Sequence, residues 1–358
     1  MFTIIDRYII RKFLTTFFFM TAIIMVLTMV FDLADKLNDF IQAGASAREI
    51  IFEYFFNFML LYANMFSSLI IFISVIWFTS RMAQDTEIIP IWNSGRTFGR
   101  FVRPYMIAAT LLMVLALALN HFIVPRANKV RLAFEEKYYW QNMQVDDYHA
   151  EFPGEQVVYF SNYTSESGIV SDFVVEQWNE KGEIVSILKA KTAKNEPGSK
   201  TWKISSFFER KVGASKDEII TGVTKDTTFA FSIDEMATRA NVAEAMSYFE
   251  IKEFIKREKH KGSKRVPTYE IVLYERTSLP FSTYILTIIG IAVASRKKRG
   301  GIGINIAIGI GIIFIYIFAM KVMSVASVNV GLPSYIAVWV PNVLFGAIAY
   351  FLYKRVQR

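Results

Sequence analysis

The sequence predicts an α+β membrane protein in which six transmembrane helices, arranged three and three, flank one inserted antiparallel β module. Two observations predict this class. Six runs contain no Asp, Glu, Lys or Arg, and each is long enough to cross a bilayer, which takes about 20 apolar residues. A long polar segment with period-two alternation lies between the third and fourth runs. The runs are Phe13 to Phe31, Tyr54 to Ser80, Pro104 to Pro125, Thr277 to Ser295, Gly300 to Met320 and Val322 to Tyr353.

The distribution of charge predicts the orientation of these helices. Four segments that fall on one side carry 14 Lys and Arg against 3 acidic residues: the N-terminal tail, Arg81 to Arg103, Arg296 to Arg299 and the last five residues. The segments opposite carry 3 against 5 in Asp32 to Glu53 with Lys321, and 23 against 24 in Arg126 to Arg276. By the positive-inside rule both termini are cytoplasmic and Arg126 to Arg276 is outside. The net charge of +8 therefore indicates membrane orientation and no nucleic-acid partner.

Three domains follow from this division. Residues 1–125 hold helices one to three, with a cytoplasmic helix expected at about 84–100. Residues 126–276 hold the β module with flanking helices, and residues 277–358 hold helices four to six. The first apolar run has 19 residues and no small-residue cleavage site before Asp32, so it predicts an uncleaved anchor and not a signal peptide.

The β module is predicted from side-chain alternation. Two runs place apolar side chains on one face: Ile169, Phe173 and Val175 in the first, and Trp202, Ile204 and Phe208 in the second. Turn signals follow at 179–182 and 196–199. Short strands of this kind form either a sandwich or a jelly roll.

The composition argues against catalysis by this chain. There is no Cys, and the three His residues have no metal-ligand spacing with one another or with a carboxylate pair. Neither Gly198-Ser199-Lys200 nor Lys261-Gly262-Ser263-Lys264 has the upstream glycine of a P-loop. We expect no bound cofactor, and a pump built on this chain would need a separate ATPase.

Short motifs in a fixed order connect the chain to a known family. They are Ile5-Asp6-Arg7-Tyr8-Ile9, Thr86-Glu87-Ile88-Ile89 with Ser94-Gly95, Pro125 with Ala127-Asn128, Met246-Ser247, Tyr269-Glu270 through Glu275-Arg276 and Pro280, and Arg299-Gly300-Gly301. On a layout of three helices, a β module and three helices, they resemble the lipopolysaccharide-export permeases LptF and LptG, the YjgP/YjgQ family. The resemblance covers nearly the whole chain.

The resemblance implies a function and a set of partners. It implies the transmembrane subunit of an ABC exporter in the inner membrane of a Gram-negative bacterium, with a periplasmic jelly-roll domain. Such a permease extracts lipopolysaccharide and passes it to a periplasmic bridge. The implied partners are an LptB-like ATPase dimer, which would bind ATP and Mg, a second six-span permease, an LptC- or LptA-like jelly-roll bridge, and lipopolysaccharide itself.

The cytoplasmic loop Arg81 to Arg103 has two interpretations. It is either an interfacial amphipathic helix or, as the resemblance implies, a coupling helix whose acidic residue faces a basic patch on the ATPase. The candidate coupling residues are Glu87, Ile88, Trp92, Gly95 and Arg96. Because proline fits only the first turn of a helix, Pro90 predicts a start near Ile89, just after Glu87.

Lipid sites are also implied by the resemblance, each beside a simpler alternative. Lys36 would contact a lipid phosphate, although a lone Lys at a span end usually only snorkels. Gly303, Ala307 and Gly311 would belong to a lateral gate, or would serve static packing inside the chain. A lipid path in the β module would use Phe173, Val175, Trp202, Ile204 and Phe208, which otherwise form a closed core.

Two other functions remain open from the sequence. One is a lipoprotein-release type permease, although those usually carry four spans with the large domain after the first. The other is a membrane-anchored sensor or structural protein whose β module binds an envelope component without transport.

Overall fold

The computed structural model of the chain describes residues 3–95, 97–138, 144–152, 155–164, 167–179, 182–195, 200–213, 216–229, 231, 233, 242–263, 265–295 and 301–357. Two compact units make up the fold. The membrane unit contains Met1–Phe134, Glu244–Tyr248 and Pro267–Arg358. The sheet unit contains Glu135–Ala243 and Phe249–Val266.

Eleven α-helices occur in the described residues. They are α1 Ile4–Gln42, α2 Ala47–Glu49, α3 Phe56–Met65, α4 Ser67–Gln84, α5 Ile88–Asn93, α6 Phe98–Ala118, α7 Val124–Tyr138, α8 Tyr248–His260, α9 Val266–Ala294, α10 Gly301–Val330 and α11 Ser334–Gln357. Two π-helical segments, Ile50–Phe55 and Leu119–Ile123, join α2 to α3 and α6 to α7, and a 3₁₀ turn covers Val242–Ala245.

Six helical stretches in the described part of the chain are long and apolar enough to cross a membrane. They are Ile4–Gln42, Ser67–Gln84, Phe98–Tyr138, Val266–Ala294, Gly301–Val330 and Ser334–Val356. The six-helix membrane class predicted from charge-free runs is confirmed. The second run is divided at Phe66, and only its part in α4 is long enough to qualify, because α3 has 10 residues and α4 has 18.

The membrane unit has two apolar clusters. One joins α1, α4, α5 and α6 around Phe13, Phe78 and Tyr105, whose rings lie 5.1 to 6.2 Å apart. The other joins α4, α9, α10 and α11 and includes Ile76. At Gly309 of α10 an added Cβ would lie 2.3 Å from Ile76 Cδ1, so this position lets α10 and α4 approach closely.

The sheet unit contains six antiparallel strands in one sheet. The strands are β1 Gln144–Phe152, β2 Gln156–Thr164, β3 Ile169–Trp178, β4 Ile184–Asn195, β5 Thr201–Lys211 and β6 Glu218–Thr228. Each pairs with its neighbours in chain order. The inserted antiparallel β module is confirmed. Its described strands form an up-and-down meander, without the crossover connections that make two sheets of a jelly roll.

One residue from each strand forms a continuous line across the sheet, which we call the phase line. Its members are Asp147, Ser161, Asp172, Lys191, Ser206 and Val223. Asp147, Asp172 and Ser206 have φ values of 48°, 51° and 52°, in the left-handed region. Pairing keeps one register on both sides of the line.

The phase line changes which residues face the core. In a regular strand every second residue faces the same side, but the left-handed residue adds one position. The inward series in β5 therefore runs from Ile204 to Phe207 and not to Phe208. Phe207 is 8% exposed and Phe208 is 37% exposed. The assignment of Phe208 to the inner face is wrong for this reason, and in β3 Val170 replaces Ile169 in the same way.

Candidate functional site

The cytoplasmic loop of the membrane unit is built on two turns. α4 ends at Gln84, and Thr86 adopts a left-handed φ of 60° while Glu87 N–H donates to the Met82 carbonyl at 2.9 Å. α5 begins at Ile88, so Pro90 lies in its first turn, where proline costs no internal hydrogen bond. The helix covers Ile88–Asn93 and is shorter than the stretch of about 84–100 that we expected.

The apolar residues of α5 face different surroundings. Ile88 is 1% exposed and packs in the cluster formed with α1, α4 and α6, whereas Ile89 is 47% exposed. Trp92 packs partly against the same cluster. Ile88 was a candidate for the outward surface of this loop, but its side chain is enclosed within the chain's own core. Ile89 is the apolar side chain that α5 presents outward.

The other loop candidates lie close to α5. Gly95 follows α5 with φ of 75°, a conformation that favours glycine, and an added Cβ would meet nothing within 4 Å. Arg96 lies outside the described residues. Glu87 is exposed, and its carboxylate accepts hydrogen bonds from Tyr8 Oη at 3.0 and 3.2 Å.

Sequence reasoning missed two contacts of α1 with this loop. One is the hydrogen bond from Tyr8 to Glu87, and the other is the ion pair from Arg100 Nη2 to Asp6 Oδ2 at 2.6 Å. Asp6 and Tyr8 belong to the N-terminal motif, which was the available signal. Their partners lie too far along the chain to be read from periodicity.

Lys36 lies in a compact polar triad at the other end of α1. Its ammonium donates to Tyr54 Oη at 2.7 Å and lies 3.1 Å from Asp32 Oδ1, and Tyr54 Oη donates to Asp32 Oδ2 at 2.8 Å. Asp32 and Lys36 are four residues apart on one helix face, a spacing that predicts such a pair. The charge of Lys36 is therefore balanced by Asp32, and a lipid phosphate would have to compete with that carboxylate.

The small residues of α10 occupy an exposed face. Gly303, Ala307 and Gly311 are exposed, and a Cβ added at either glycine meets nothing within 4 Å. The opposite face of α10 is buried at Asn305 and Gly309. Within the residues that the structure describes, static packing of the stripe inside the chain is thus contradicted. The stripe faces out of the described part of the chain, where another helix can approach it.

The candidate residues of the β module come together as a packed core. Phe173, Val175, Trp202 and Ile204 are buried. The rings of Phe173 and Trp202 stack at 5.0 Å with an angle of 11°, and Trp202 Nε1 donates to the Phe231 carbonyl at 3.2 Å. Phe208 lies on the opposite face. A lipid chain would enter this interior only if these contacts opened.

Asn128 and Arg276, which belong to two of the motifs quoted above, both contact Glu244 in the membrane unit. Asn128 Nδ2 donates to Glu244 Oε2 at 3.4 Å, and Arg276 Nη2 donates to the Glu244 carbonyl at 3.5 Å. Burial raises the pKa of Glu244, and the positive charge of Arg131 offsets part of this effect. The group links the end of the third candidate span to the fourth.

A metal centre has no support in the described residues, in which no three His, Cys, Asp or Glu side chains form a ligand cluster. His121 contacts the Tyr248 ring edge-on, with centroids 5.9 Å apart. This is an aromatic packing contact and implies no catalytic role.

Comparison with known proteins identifies one family. The family model described as lipopolysaccharide export system permease LptF/LptG matches residues 7–355. This range includes parts of all six candidate spans and the whole sheet. A search of the curated proteins finds no match to the chain.

Proposed function

The chain belongs to the LptF/LptG family of lipopolysaccharide export permeases, and from that membership we propose that it is the membrane-spanning subunit of an ABC exporter. It is a multi-pass protein of the inner membrane. In the proposal it takes lipopolysaccharide from that membrane, with both termini cytoplasmic and the sheet unit periplasmic. A separate ATPase dimer supplies the energy, and a periplasmic bridge receives the lipid.

The observation that carries the proposal is the extent of the family match. The match covers residues 7–355 and therefore includes both the membrane helices and the inserted sheet. The chain thus resembles this permease family over nearly its whole length, and not only in one segment. The sheet follows the third candidate span. A lipoprotein-release type permease would have its large domain after the first span.

Energetics favours a partner that hydrolyses ATP. Removing an acyl chain from a bilayer costs about 0.8 kcal/mol for each CH₂ group that is transferred. Several chains must move for one lipopolysaccharide molecule, so an equilibrium preference of a protein groove is too small. No P-loop occurs in this sequence, and ATP and Mg would therefore be bound by the partner.

The contact with the ATPase would be made by the exposed carboxylate of Glu87 and the exposed side chain of Ile89 beside it. A hydrogen bond to a charged group contributes about 1.5–3 kcal/mol. The exposed stripe of Gly303, Ala307 and Gly311 would receive a helix of the second permease, because small residues allow close approach.

Reconstitution tests the proposal. The chain is co-expressed with the ATPase and the second permease, purified, and placed in liposomes that contain lipopolysaccharide. We expect ATP-dependent release of the lipid to a soluble jelly-roll acceptor. Glu87→Ala should lower both lipid release and lipid-stimulated ATP turnover. Glu53→Ala, which removes an exposed carboxylate in the π-helical segment between α2 and α3, is the matched control.

The outcome separates the proposal from its alternatives. Purification of a homodimer alone, with no ATPase and no lipid release, would support a sensor or structural protein. Orientation is tested in the same preparation, since the chain has no Cys. A Cys at Val223, which is 79% exposed, should react with an impermeant reagent from the periplasmic side. Reaction only after rupture of the inner membrane would contradict the orientation.

A further inference from the structure

The first turns of α1 contact the loop between α4 and α6 at two points. Tyr8 Oη donates to the Glu87 carboxylate at 3.0 and 3.2 Å, across 79 positions of sequence. Arg100 Nη2 donates to Asp6 Oδ2 at 2.6 Å, across 94 positions. Since Glu87 precedes α5 and Arg100 lies in the first turn of α6, the two contacts lie on the two sides of α5.

The Asp6 contact is firmly held. Asp6 is 3% exposed, and its carboxylate also accepts the backbone N–H of Thr3 at 2.9 Å, while the Thr3 hydroxyl accepts the Asp6 N–H at 3.3 Å. This reciprocal cap fixes both the start of α1 and the direction of the carboxylate. A charge-assisted hydrogen bond to a buried carboxylate then joins α1 to α6 as a rigid contact.

The Tyr8 contact leaves room for a partner. A carboxylate has about four acceptor positions on its two oxygens, and the Tyr8 hydroxyl, which lies 3.0 and 3.2 Å from the two Glu87 oxygens, donates only one hydrogen. Glu87 is exposed. A cationic side chain of another protein can therefore bind Glu87 while the Tyr8 hydrogen bond persists.

Apolar packing reinforces this connection. Ile88 and Ile91 of α5 lie in the same buried cluster as Ile9 and Phe13 of α1. α5 and α1 thus bury side chains in one apolar cluster, and Glu87, the residue before α5, is hydrogen-bonded to α1. These two connections provide a route by which a displacement of α5 can reach α1.

We propose that Asp6, Tyr8 and Arg100 are positioning residues that transmit a movement of α5 to the inner end of α1. Glu87 connects the ATPase to Tyr8. The Asp6–Arg100 ion pair holds the start of α1 against α6, so that α1 moves relative to this contact. The inference rests on the proposed function only in taking the ATPase as the source of the movement. The link between α5 and α1 is a property of this chain alone.

The link is measured first without any activity. Spin labels are attached to Cys residues at Ile4, which is 89% exposed on α1, and at Ile89 on α5. We expect a narrow distance distribution in the parent chain and a distribution about twofold broader in Tyr8→Phe, because loop motion is no longer restrained. The variant keeps the ring, over which Lys12 Nζ lies at 5.3 Å.

Tyr350→Phe is the matched control. Tyr350 is an exposed tyrosine on α11, and Lys354 Nζ lies over its ring at 5.5 Å. Tyr350→Phe therefore removes a hydroxyl from a tyrosine that also has a lysine over its ring. Its distance distribution should equal that of the parent. An unchanged distribution in Tyr8→Phe would overturn the inference, even if the complex exports lipid.

The second measurement is the amount of lipid released per ATP hydrolysed by the reconstituted complex. We expect Tyr8→Phe to lower this ratio by about threefold to tenfold, which corresponds to a contribution of about 0.6–1.4 kcal/mol from one solvent-exposed hydrogen bond to the coupling equilibrium. Arg100→Gln should lower the ratio, and Arg100→Lys should restore part of it. The double variant Tyr8→Phe/Glu87→Gln should be no worse than its worse single variant.

The two measurements separate the possible failures. Absence of lipid release from the parent complex, with a broadened distribution in Tyr8→Phe, would contradict the proposed function and leave the link intact. Independent, multiplicative losses in the double variant would show that Tyr8 does not act through Glu87.

Discussion

At the scale of single residues, Phe207 and Phe208 are chemically identical neighbours with opposite surroundings. Phe207 lies over Gly222 of β6, where an added Cβ would come within 2.6 Å of its ring. Phe208 is on the outer face. Replacing a buried Phe by Ala costs about 3–5 kcal/mol, so Phe207→Ala should destabilise the sheet strongly.

The matched variant Phe208→Ala should cost less than about 1 kcal/mol, since surface substitutions have small effects. The measurement is urea-dependent proteolysis of the full chain in detergent. Mass spectrometry identifies and quantifies the cleavage sites within the sheet. Equal losses of unfolding free energy in the two variants would contradict the phase line. A larger loss in Phe208→Ala would support the assignment of Phe208 to the inner face.

A second prediction at the scale of residues concerns the pH dependence of stability that Glu244 causes. Its ordinary pKa is 4.5 and burial raises the pKa in the folded chain, so the folded state binds more protons than the unfolded state just above pH 4.5. The contribution of Glu244 to the free energy of unfolding is largest below pH 4.5 and is lost as pH rises through the folded pKa. The loss is at most about 1.4 kcal/mol for each unit by which folding raises the pKa.

Glu244→Gln should remove that part of the pH dependence, because Gln keeps the side-chain volume and cannot ionise. The measurement is the thermal unfolding midpoint of the full chain in detergent between pH 4.5 and pH 8. Glu218→Gln, at an exposed strand position, is the control. Parallel pH curves for Glu244→Gln and the parent would contradict the role of burial.

At the scale of elements, the phase line depends on three left-handed residues. Ser206 has φ of 52°, and a non-glycine residue in this region costs about 1–2 kcal/mol. Ser206→Gly should therefore leave stability unchanged or raise it by up to about 1 kcal/mol, since glycine loses some of the gain as chain entropy. Ser206→Val should lower stability by about 1–2 kcal/mol.

Ser205→Val separates the backbone effect from the effect of the side chain, because Ser205 has an ordinary strand conformation and valine favours strands. The same proteolysis assay reports the free energy of unfolding of the sheet. If Ser206→Val and Ser205→Val behaved alike, the left-handed conformation of Ser206 would be contradicted.

The elements also show what periodicity predicts and what it misses. Runs such as Phe13 to Phe31 predicted membrane helices well, because lipid excludes charges over a fixed thickness. The strands of β3 and β5 were also predicted within their runs. The face of Phe208 was not, since alternation assumes an unbroken extended chain and no Gly marks the change at Ser206. Tyr8 and Glu87 were not paired because no local pattern connects them.

At the scale of the whole molecule, α10 offers a comparison between an inner and an outer face. Gly311→Leu adds a large side chain where an added Cβ meets nothing, so the chain itself should stay as stable as the parent. Co-purification with the second permease should fall, because the bulk prevents close approach of a helix.

Gly309→Ala provides the contrast, since its Cβ would press on Ile76 Cδ1 at 2.3 Å. Overpacking of this kind costs about 1–3 kcal/mol, so the chain should lose thermal stability. Size-exclusion chromatography and thermal midpoints measure the two effects. Full recovery of the permease pair with Gly311→Leu would show that the exposed stripe faces lipid and not a helix.

The phase line also constrains how this sheet changes in evolution. Its six positions lie opposite one another from strand to strand, because the same register is kept in the pairs on both sides of the line. Deleting the position from one strand would put that strand out of step with both neighbours and turn half of its side chains to the wrong face. Insertions and deletions should therefore accumulate in the connections, such as that between Lys211 and Glu218, while strand lengths across the line remain constant among descendants of this gene.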